Sequence, residues 1–500
     1  MKKFGIIAVF LFFVIFSFIL NNPLENLDEV WNYSFSNNIA DGLIPYKDFN
    51  LVQTPFLFMV TSLFLKFIFN GLIMTRILEA VLATAILMMI YIVLNKLINN
   101  KYLNFSITLL FCMCSIPFFT LDYNFLVLLF ALTILNYELK SKDEKLLKLN
   151  IKKDFMFGIL AGLAIITKQS TGLLIAVAYV GYKWLAIRSK DDLVTTFKIS
   201  LSRGFGVLVP IIVFCTYLVV SNSFNDFLNF CVFGVSEFNN SISYFTLLEA
   251  SQYDINIKIL AVMVPILIIY ATIYLIMNYK FNTIESKNVL KLFIFGLSSF
   301  VVVYPISDDI HFLIGSVILI ILSIYMAKLD FPVKKEETLK NMQKLLIYLT
   351  YIITIILFII ASYNYYKYII NNEKNHDIKH YNGIIISTNL IENIKNLNDY
   401  IEYEKSNGNN VYLVNADACV YNIPGDRYNK YFDLLLKGNL GKDGEETVIK
   451  NIQNSPENTL FLLLKEQYHL NWQTPLEVIN YIKENYNKLN SIYIFDVYSK

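Results

Sequence analysis

The chain has 500 residues, with 42 Lys and Arg against 40 Asp and Glu, a formal net charge of +2. Hydrophobic residues make up 56% and charged residues only 16%, giving a mean hydropathy of +0.49, where a soluble domain carries about a quarter charged residues. A single water-soluble core is excluded. So is a nucleic-acid partner, because the basic residues sit in particular loops and form no binding signature.

Apolar blocks run at 4–20, 53–70, 73–97, 103–120, 124–138, 155–167, 171–187, 204–221, 256–278, 289–304, 311–327 and 344–362. Most approach the length a helix needs to cross a bilayer, about 17 to 25 residues. The first block follows Lys2 and Lys3 and lacks small residues at a cleavage position before Asn21-Asn22-Pro23, so it reads as an uncleaved first span with a cytoplasmic N-terminus. Segments 139–153, 188–203, 279–291 and 328–344 are rich in Lys and Arg and belong in the cytoplasm. By contrast, 21–52 holds only Lys47 as a basic residue against Glu25, Asp28, Glu29, Asp41 and Asp48, and 222–255 has acids only. Both should face outward.

These assignments agree only if one early block fails to cross. The best candidate is 53–70, which opens Gln53-Thr54-Pro55 and contains Lys66, read as a helix in the outer interface or re-entering. About eleven spans remain. Asp122, the turn Thr167-Lys168-Gln169-Ser170 and the stretch Ser307-Asp308-Asp309 then all reach the outer side, with the acidic first loop.

Hydropathy falls after Ile360, which sets a boundary between a transmembrane domain, 1–374, and an extracytoplasmic domain, 375–500. Runs at Gly383–Ser387, Val411–Asn415, Thr459–Leu464 and Ile492–Val497 predict strands. They alternate with helical patterns at Leu390–Glu404, Tyr428–Leu436, Glu445–Ile452 and Pro475–Tyr486, an order that predicts an α/β domain with a mainly parallel sheet. Of five cysteines, Cys112, Cys114 and Cys215 lie in apolar blocks, which leaves free thiols or one Cys231–Cys419 bridge. Cys112 and Cys114 lack a second ligand pair for zinc.

The acidic pair Asp28-Glu29 follows the first span directly. Held at the membrane surface, one carboxylate would be partly desolvated, which raises its proton affinity and suits a general base; solvated loop acids are the plain alternative. Then come Gly42…Pro45-Tyr46…Asp48-Phe49, Pro55 at the next helix start, Asp122 in Leu121-Asp122-Tyr123, the turn Thr167-Lys168-Gln169-Ser170-Thr171-Gly172, and the loop Pro305…Asp308-Asp309-Ile310-His311. Arg76 with Glu79 three residues on reads as a structural ion pair. In the C-terminal domain, Asn429-Lys430-Tyr431-Phe432-Asp433 and Asn471-Trp472-Gln473 are polar-aromatic patches able to stack on sugars or simply to pack.

In that order and common outer placement, these motifs over roughly residues 1 to 330 resemble the GT-C superfamily of membrane glycosyltransferases. They are most similar to the branch of protein O-mannosyltransferases and bacterial aminoarabinose transferases. The resemblance implies a polytopic α-helical membrane protein with a C-terminal extracytoplasmic α/β domain, lying in the cell membrane. It further implies transfer of a sugar from a polyprenyl-phosphate donor to a glycan, lipid or protein acceptor hydroxyl at the outer face. The family's first-loop acid maps onto Asp28 as base, with Glu29 in support and Asp122 as the second acid. Substrate binding falls to Tyr46, Lys168, Gln169, Asp308, Asp309 and His311, with Lys168 on the leaving phosphate. The plainer alternative for Lys168 is a snorkelling lysine, and for His311 an ordinary helix start.

The chain departs from the aminoarabinose transferases at Gln53-Thr54-Pro55, where they carry Lys-Pro-Pro, so that lipid contact does not transfer. A divalent cation held by Asp28, Glu29 and Asp122 is compatible with the residue types, but no spacing demands it. Competing readings are a transporter or flippase of lipid-linked glycans, which would place ionisable groups near the bilayer midplane, and a non-catalytic membrane anchor for the outer domain.

Overall fold

The computed structural model describes residues 2–24, 27–139, 150–187, 190–234, 241–253, 255–280, 283–330, 374–421, 435–436, 439–469 and 474–500, with isolated positions between 348 and 367. The predicted last span at 344–362, most of the 139–153 loop, the helix at 428–436 and the patches around Lys430 and Trp472 lie largely or wholly outside the described residues.

In chain order the longer helices are α1 (Lys2–Ile19), α2 (Leu27–Ala40), α3 (Phe56–Phe67), α4 (Leu72–Leu97), α5 (Lys101–Ser115), α6 (Tyr123–Glu138), α7 (Ile151–Ile165), α8 (Gln169–Gly181), α9 (Lys190–Val220), α10 (Ile255–Met277), α11 (Ile284–Phe300), α12 (Asp309–Asp330), α13 (Thr388–Ser406), α14 (Gly444–Gln453) and α15 (Leu476–Asn485). Five stretches are long and apolar enough to cross a membrane: Leu72–Leu97, Asp192–Val220, Ile257–Met277, Ile284–Val303 and Asp309–Leu329. The other predicted spans among the described residues form helices of 13 to 18 residues. At about 1.5 Å per residue they fall short of a bilayer core of about 30 Å. Among the described residues, length and composition together single out five crossings, and the 12-residue α3 is the shortest of the apolar helices.

The chain divides into two compact units. The first comprises Met1–Ile19, Glu79–Phe214 and Ser241–Lys367; the second comprises Leu20–Leu78, Cys215–Asn240 and Tyr368–Lys500.

In the first unit the helices are drawn together by small residues and by one buried charge cluster. A Cβ at Gly158 would stand 2.4 Å from the Arg203 carbonyl and one at Gly206 2.3 Å from the Phe155 carbonyl, so α7 and α9 cross backbone to backbone. There Arg203, wholly buried, donates from Nε and Nη2 to Asp154 at 2.9 and 2.7 Å, from Nη2 to Glu138, and from Nη1 to the Tyr179 carbonyl at 2.6 Å. Tyr182 donates its hydroxyl to Glu138, and Lys291 donates to the Glu138 carbonyl. Glu138 ends α6, Asp154 lies in the first turn of α7, and Lys291 comes from α11. One guanidinium thus ties α6, α7 and α8 to α9.

The second unit holds a four-stranded sheet, order β1-β2-β4-β3, with β1 (Asn410–Val414), β2 (Thr459–Leu464), β3 (Asn487–Ile492) and β4 (Phe495–Ser499). Along β2 the side chains alternate faces, as a strand requires. Leu460, Leu462 and Leu464 join Leu397 and Ile401 of α13, while Phe461 and Leu463 join Val448, Ile452, Val478 and Ile482 of α14 and α15. The expected mainly parallel sheet is corrected to a mixed one: β1 and β2 are parallel, but β4 is antiparallel to both β2 and β3. The predicted strand Ile492–Val497 is a hairpin turning at Tyr493, whose φ is +51°. Its first arm, Asn-Lys-Leu-Asn-Ser-Ile, is exposed and carries no apolar signal. The predicted strand at Gly383–Ser387 makes only isolated bridges from Ile385 to Pro23 and Lys374.

The acidic segment after α1 is part of this unit's core. Val30 and Tyr33 of α2 pack with Tyr381, Ile384, Ile386 and Ile394. The Trp31 indole donates to the Ala416 carbonyl at 3.0 Å, and Tyr33 bonds His380 at 2.6 Å. Cys231 and Cys419 are both buried free thiols.

Replacing Arg203 by Met strands Glu138 and Asp154 without their cation, a change that costs about 3–5 kcal/mol in a buried site. The expected result is a markedly lower unfolding temperature in lipid nanodiscs. An unchanged temperature would show that the two carboxylates reach water.

Candidate functional site

Three helix starts in the first unit carry the polar residues of the predicted site. Asp122 caps α6, its Oδ1 accepting from the Asn124 backbone N–H at 2.7 Å. Lys168 occupies the corresponding position before α8. Asp308 precedes α12 and its Oδ1 accepts from both the backbone N–H of His311 and the His311 ring Nδ1, each at 2.8 Å. Each is a short polar turn ahead of an apolar run, and at α6 and α12 a carboxylate satisfies backbone N–H groups that have no partner within the helix.

These turns act on one another electrostatically. Lys168 feels both Asp122 and Asp308, and Asp122 feels Lys168 and His311. The ammonium of Lys168 donates to Asn124 Oδ1 at 2.6 Å and lies 5.2 Å from the centre of the Tyr123 ring. Asn124 therefore bridges the pair, holding the Asp122 carboxylate with its N–H groups and the Lys168 ammonium with its carbonyl. Burial raises Asp122 above the usual carboxylate range, offset in part by Asn124, Lys168 and His311. Burial pushes Lys168 down to about 8, offset in part by Asp122 and Asp308. The cluster thus presents an ammonium, an imidazole and three helix N-termini, a combination that attracts an anion, beside carboxylates that can accept from hydroxyls.

Four predicted residues from three distant turns, Asp122, Lys168, Asp308 and His311, are brought together here. Gln169 opens α8 next to Lys168, and Asp309 opens α12, its Oδ1 accepting from Ile310 N–H at 3.0 Å. Sequence reasoning missed Asn124 and Tyr253; the hydroxyl of Tyr253 feels Asp308 and Asp309. Asn124 gave no signal because it sits inside the helical pattern, two residues past the acid that was singled out.

Asp28, Glu29 and Tyr46 belong to the second unit. Asp28 is exposed in the first turn of α2. Glu29 is buried and gripped by Arg76, whose Nε and Nη2 donate at 2.6 and 3.0 Å while Nη1 donates to the Asn22 carbonyl at 2.6 Å. Arg76 thus makes a buried ion pair with Glu29, 47 residues away in sequence, a partner that helical spacing does not name. Tyr46, at φ +70°, has no exposed surface; its hydroxyl donates to the Gln53 carbonyl at 2.7 Å and its ring packs edge-on to Phe227. It braces the loop. Among the described residues no three His, Cys, Asp or Glu side chains lie close enough to hold a metal ion.

No family model matches the chain, and no curated protein matches it. Among solved structures it is similar to the oligosaccharyltransferase of Archaeoglobus fulgidus in a complex with Zn and sulfate, at 12% identity and a TM-score of 0.42, over 99% of this chain and 73% of that one. It is similar also to the archaeal oligosaccharyltransferase AglB of the same organism with an inhibitory peptide and a dolichol-phosphate, at 12% identity and a TM-score of 0.49, over 98% and 74%. The apo form of the enzyme gives 11% and 0.45, over 83% and 63%. These three are oligosaccharyltransferases, not members of the O-mannosyl or aminoarabinose branch that the first loop resembles. Likeness at this level assigns neither substrate nor reaction to the chain.

Because the folded-state value of Lys168 lies below that of a free lysine, keeping it charged opposes folding below about pH 8, and the penalty lifts as pH rises through that value. Competitive acylation followed by mass spectrometry should give a Lys168 midpoint near 8, moving lower in Asp122→Asn. A midpoint near the ordinary 10.5 would show a solvated amine.

Proposed function

We propose that the chain is a membrane glycosyltransferase that moves a sugar from a polyprenyl-phosphate carrier to the hydroxyl of a glycan, lipid or protein acceptor at the extracytoplasmic face. The observation that carries this reading is the gathering of Asp122, Lys168, Asp308 and His311 at the starts of three apolar helices. A lipid phosphate enters a membrane at headgroup depth, and helix starts are where the chain can offer it N–H groups and cations together.

In the proposed reaction Asp28, exposed at the start of α2, takes the proton of the acceptor hydroxyl as its oxygen attacks the anomeric carbon. The bond from that carbon to the phosphate oxygen breaks, and its electron pair leaves with the polyprenyl phosphate. Lys168, with His311 held by Asp308, stabilises the negative charge that develops there. Glu29 supports Asp28 by fixing the first turn of α2 through Arg76. Asp122, its carboxyl raised by burial, orients a hydroxyl of sugar or acceptor, and Gln169 and Asp309 take further hydroxyls. In this reading the N-terminus is cytoplasmic, the shorter apolar helices other than α3 cross as well, for about eleven spans in all, and residues 375–500 face outward.

Replacement of Asp28 by Asn in cells whose glycan product can be followed is expected to lower transfer by about 10²- to 10⁴-fold at normal protein levels. Retained glycosylation would reject the assignment. Activity of the unaltered enzyme should fade as pH rises through about 8, where Lys168 loses its proton. In Lys168→Arg any remaining activity should persist to higher pH.

A further inference from the structure

The two parallel strands of the sheet, β1 and β2, end side by side at Val414 and Leu464. The turns that leave them diverge, and between them lies a cleft of about 30 Å³ whose walls include Asn415, Asp417, Tyr468 and His469 over a floor of Leu464 and Ile479. The carboxyl ends of adjacent parallel strands are where α/β sheets open crevices for ligands.

The polar walls offer acceptors at Asn415, Asp417 and His469, beside the hydroxyls of Tyr468 and Thr474. Asn415 donates its amide N–H to the Asp417 carboxylate, which leaves its Oδ1 buried and accepting from no group among the described residues. The ring of His469 donates from Nε2 to the Leu464 carbonyl at 2.6 Å, so in the neutral ring Nδ1 is an acceptor too. Asp417 is half-buried, and among the described residues the groups that act on it are Asn415 and its own backbone N–H, with no cation among them. A carboxylate largely withdrawn from water without a counter-ion is costly, and desolvation raises the Asp417 carboxyl above its ordinary range. What the described walls of the cleft lack is a small cation that carries several N–H groups.

We propose that this cleft binds a primary ammonium group, set between the Asp417 carboxylate and the Oδ1 of Asn415, with His469 Nδ1 as third acceptor and the attached carbon against Tyr468. The volume suits one such group and its methylene, not a whole sugar ring. The same chemistry is offered by an amino sugar, an aminoethyl lipid headgroup or a lysine side chain. The proposal stands apart from the transfer reaction and does not depend on it.

The test uses the full chain in detergent and phosphate buffer, with unfolding temperature read against ethanolamine, glucosamine and Nα-acetyl-lysine amide. Each amine is paired with a counterpart of blocked or missing amine: ethylene glycol, N-acetylglucosamine and Nα,Nε-diacetyl-lysine amide. The amines should raise the unfolding temperature and their counterparts should not, and the largest shift identifies the source. Asp417→Asn should lose at least about tenfold in amine affinity, as expected for a charge-assisted bond. In amine-free buffer at neutral pH the same variant should melt higher than the unaltered chain, because it removes a desolvated charge whose penalty is absent below the unfolded-state value of about 4. Asn415→Ser, which keeps the charge but loses the orphaned oxygen, should also bind more weakly. Equal shifts from amines and their counterparts, or an undiminished shift in Asp417→Asn, would overturn the proposal.

Discussion

Four charges are kept inside the apolar unit, and their mutual satisfaction makes the helix assembly possible. Arg203 and Lys291 meet Glu138 and Asp154, and each of the three guanidinium nitrogens donates to an oxygen. A medium of low dielectric makes each of these bonds strong and makes the loss of any partner expensive. The close crossing at Gly158 and Gly206 brings α9 near enough for the guanidinium to reach α6, α7 and α8 at once. α6 has sixteen residues, so Glu138 at its end and Asp122 at its start are about 24 Å apart. The clamp at one end fixes the helix that positions the candidate site at the other.

The candidate site follows a second rule, that an apolar helix starting from a polar turn must satisfy its first N–H groups. Asp122 and Asp308 do this for α6 and α12, and in doing so they come within electrostatic reach of Lys168 and His311. The capping that terminates each apolar run also supplies the chemistry. Asn124 converts the nearby carboxylate and ammonium into a spaced pair instead of a direct ion pair.

Much of this organisation is legible in the amino-acid order. Apolar blocks give the helices their places, and acids at block edges give Asp122 and Asp308, because caps are local in sequence. Long-range partners are not legible. Glu29 and Arg76 meet across 47 residues, and Arg203 lies within a long apolar helix where spacing names no counter-ion. β3 escapes notice because an exposed edge arm need not be apolar, and its absence from the reading made the sheet look parallel. Hydropathy marks whole apolar blocks, within which the helix can tighten, as α8 does at Gly181 where a 3-10 helix, Tyr182–Ala186, takes over.

The indole of Trp31 is bonded to a carbonyl 385 residues further along the chain. A ribosome adding about 5–20 residues per second needs roughly 20 to 75 s to supply that partner. Throughout that interval α2, whose faces are built for burial on nearly every side, waits at the membrane surface without its mate. Translation speed and protection of nascent apolar surface therefore bear on the yield of active protein, and a chain cut short before residue 416 would carry its acidic first loop unfolded.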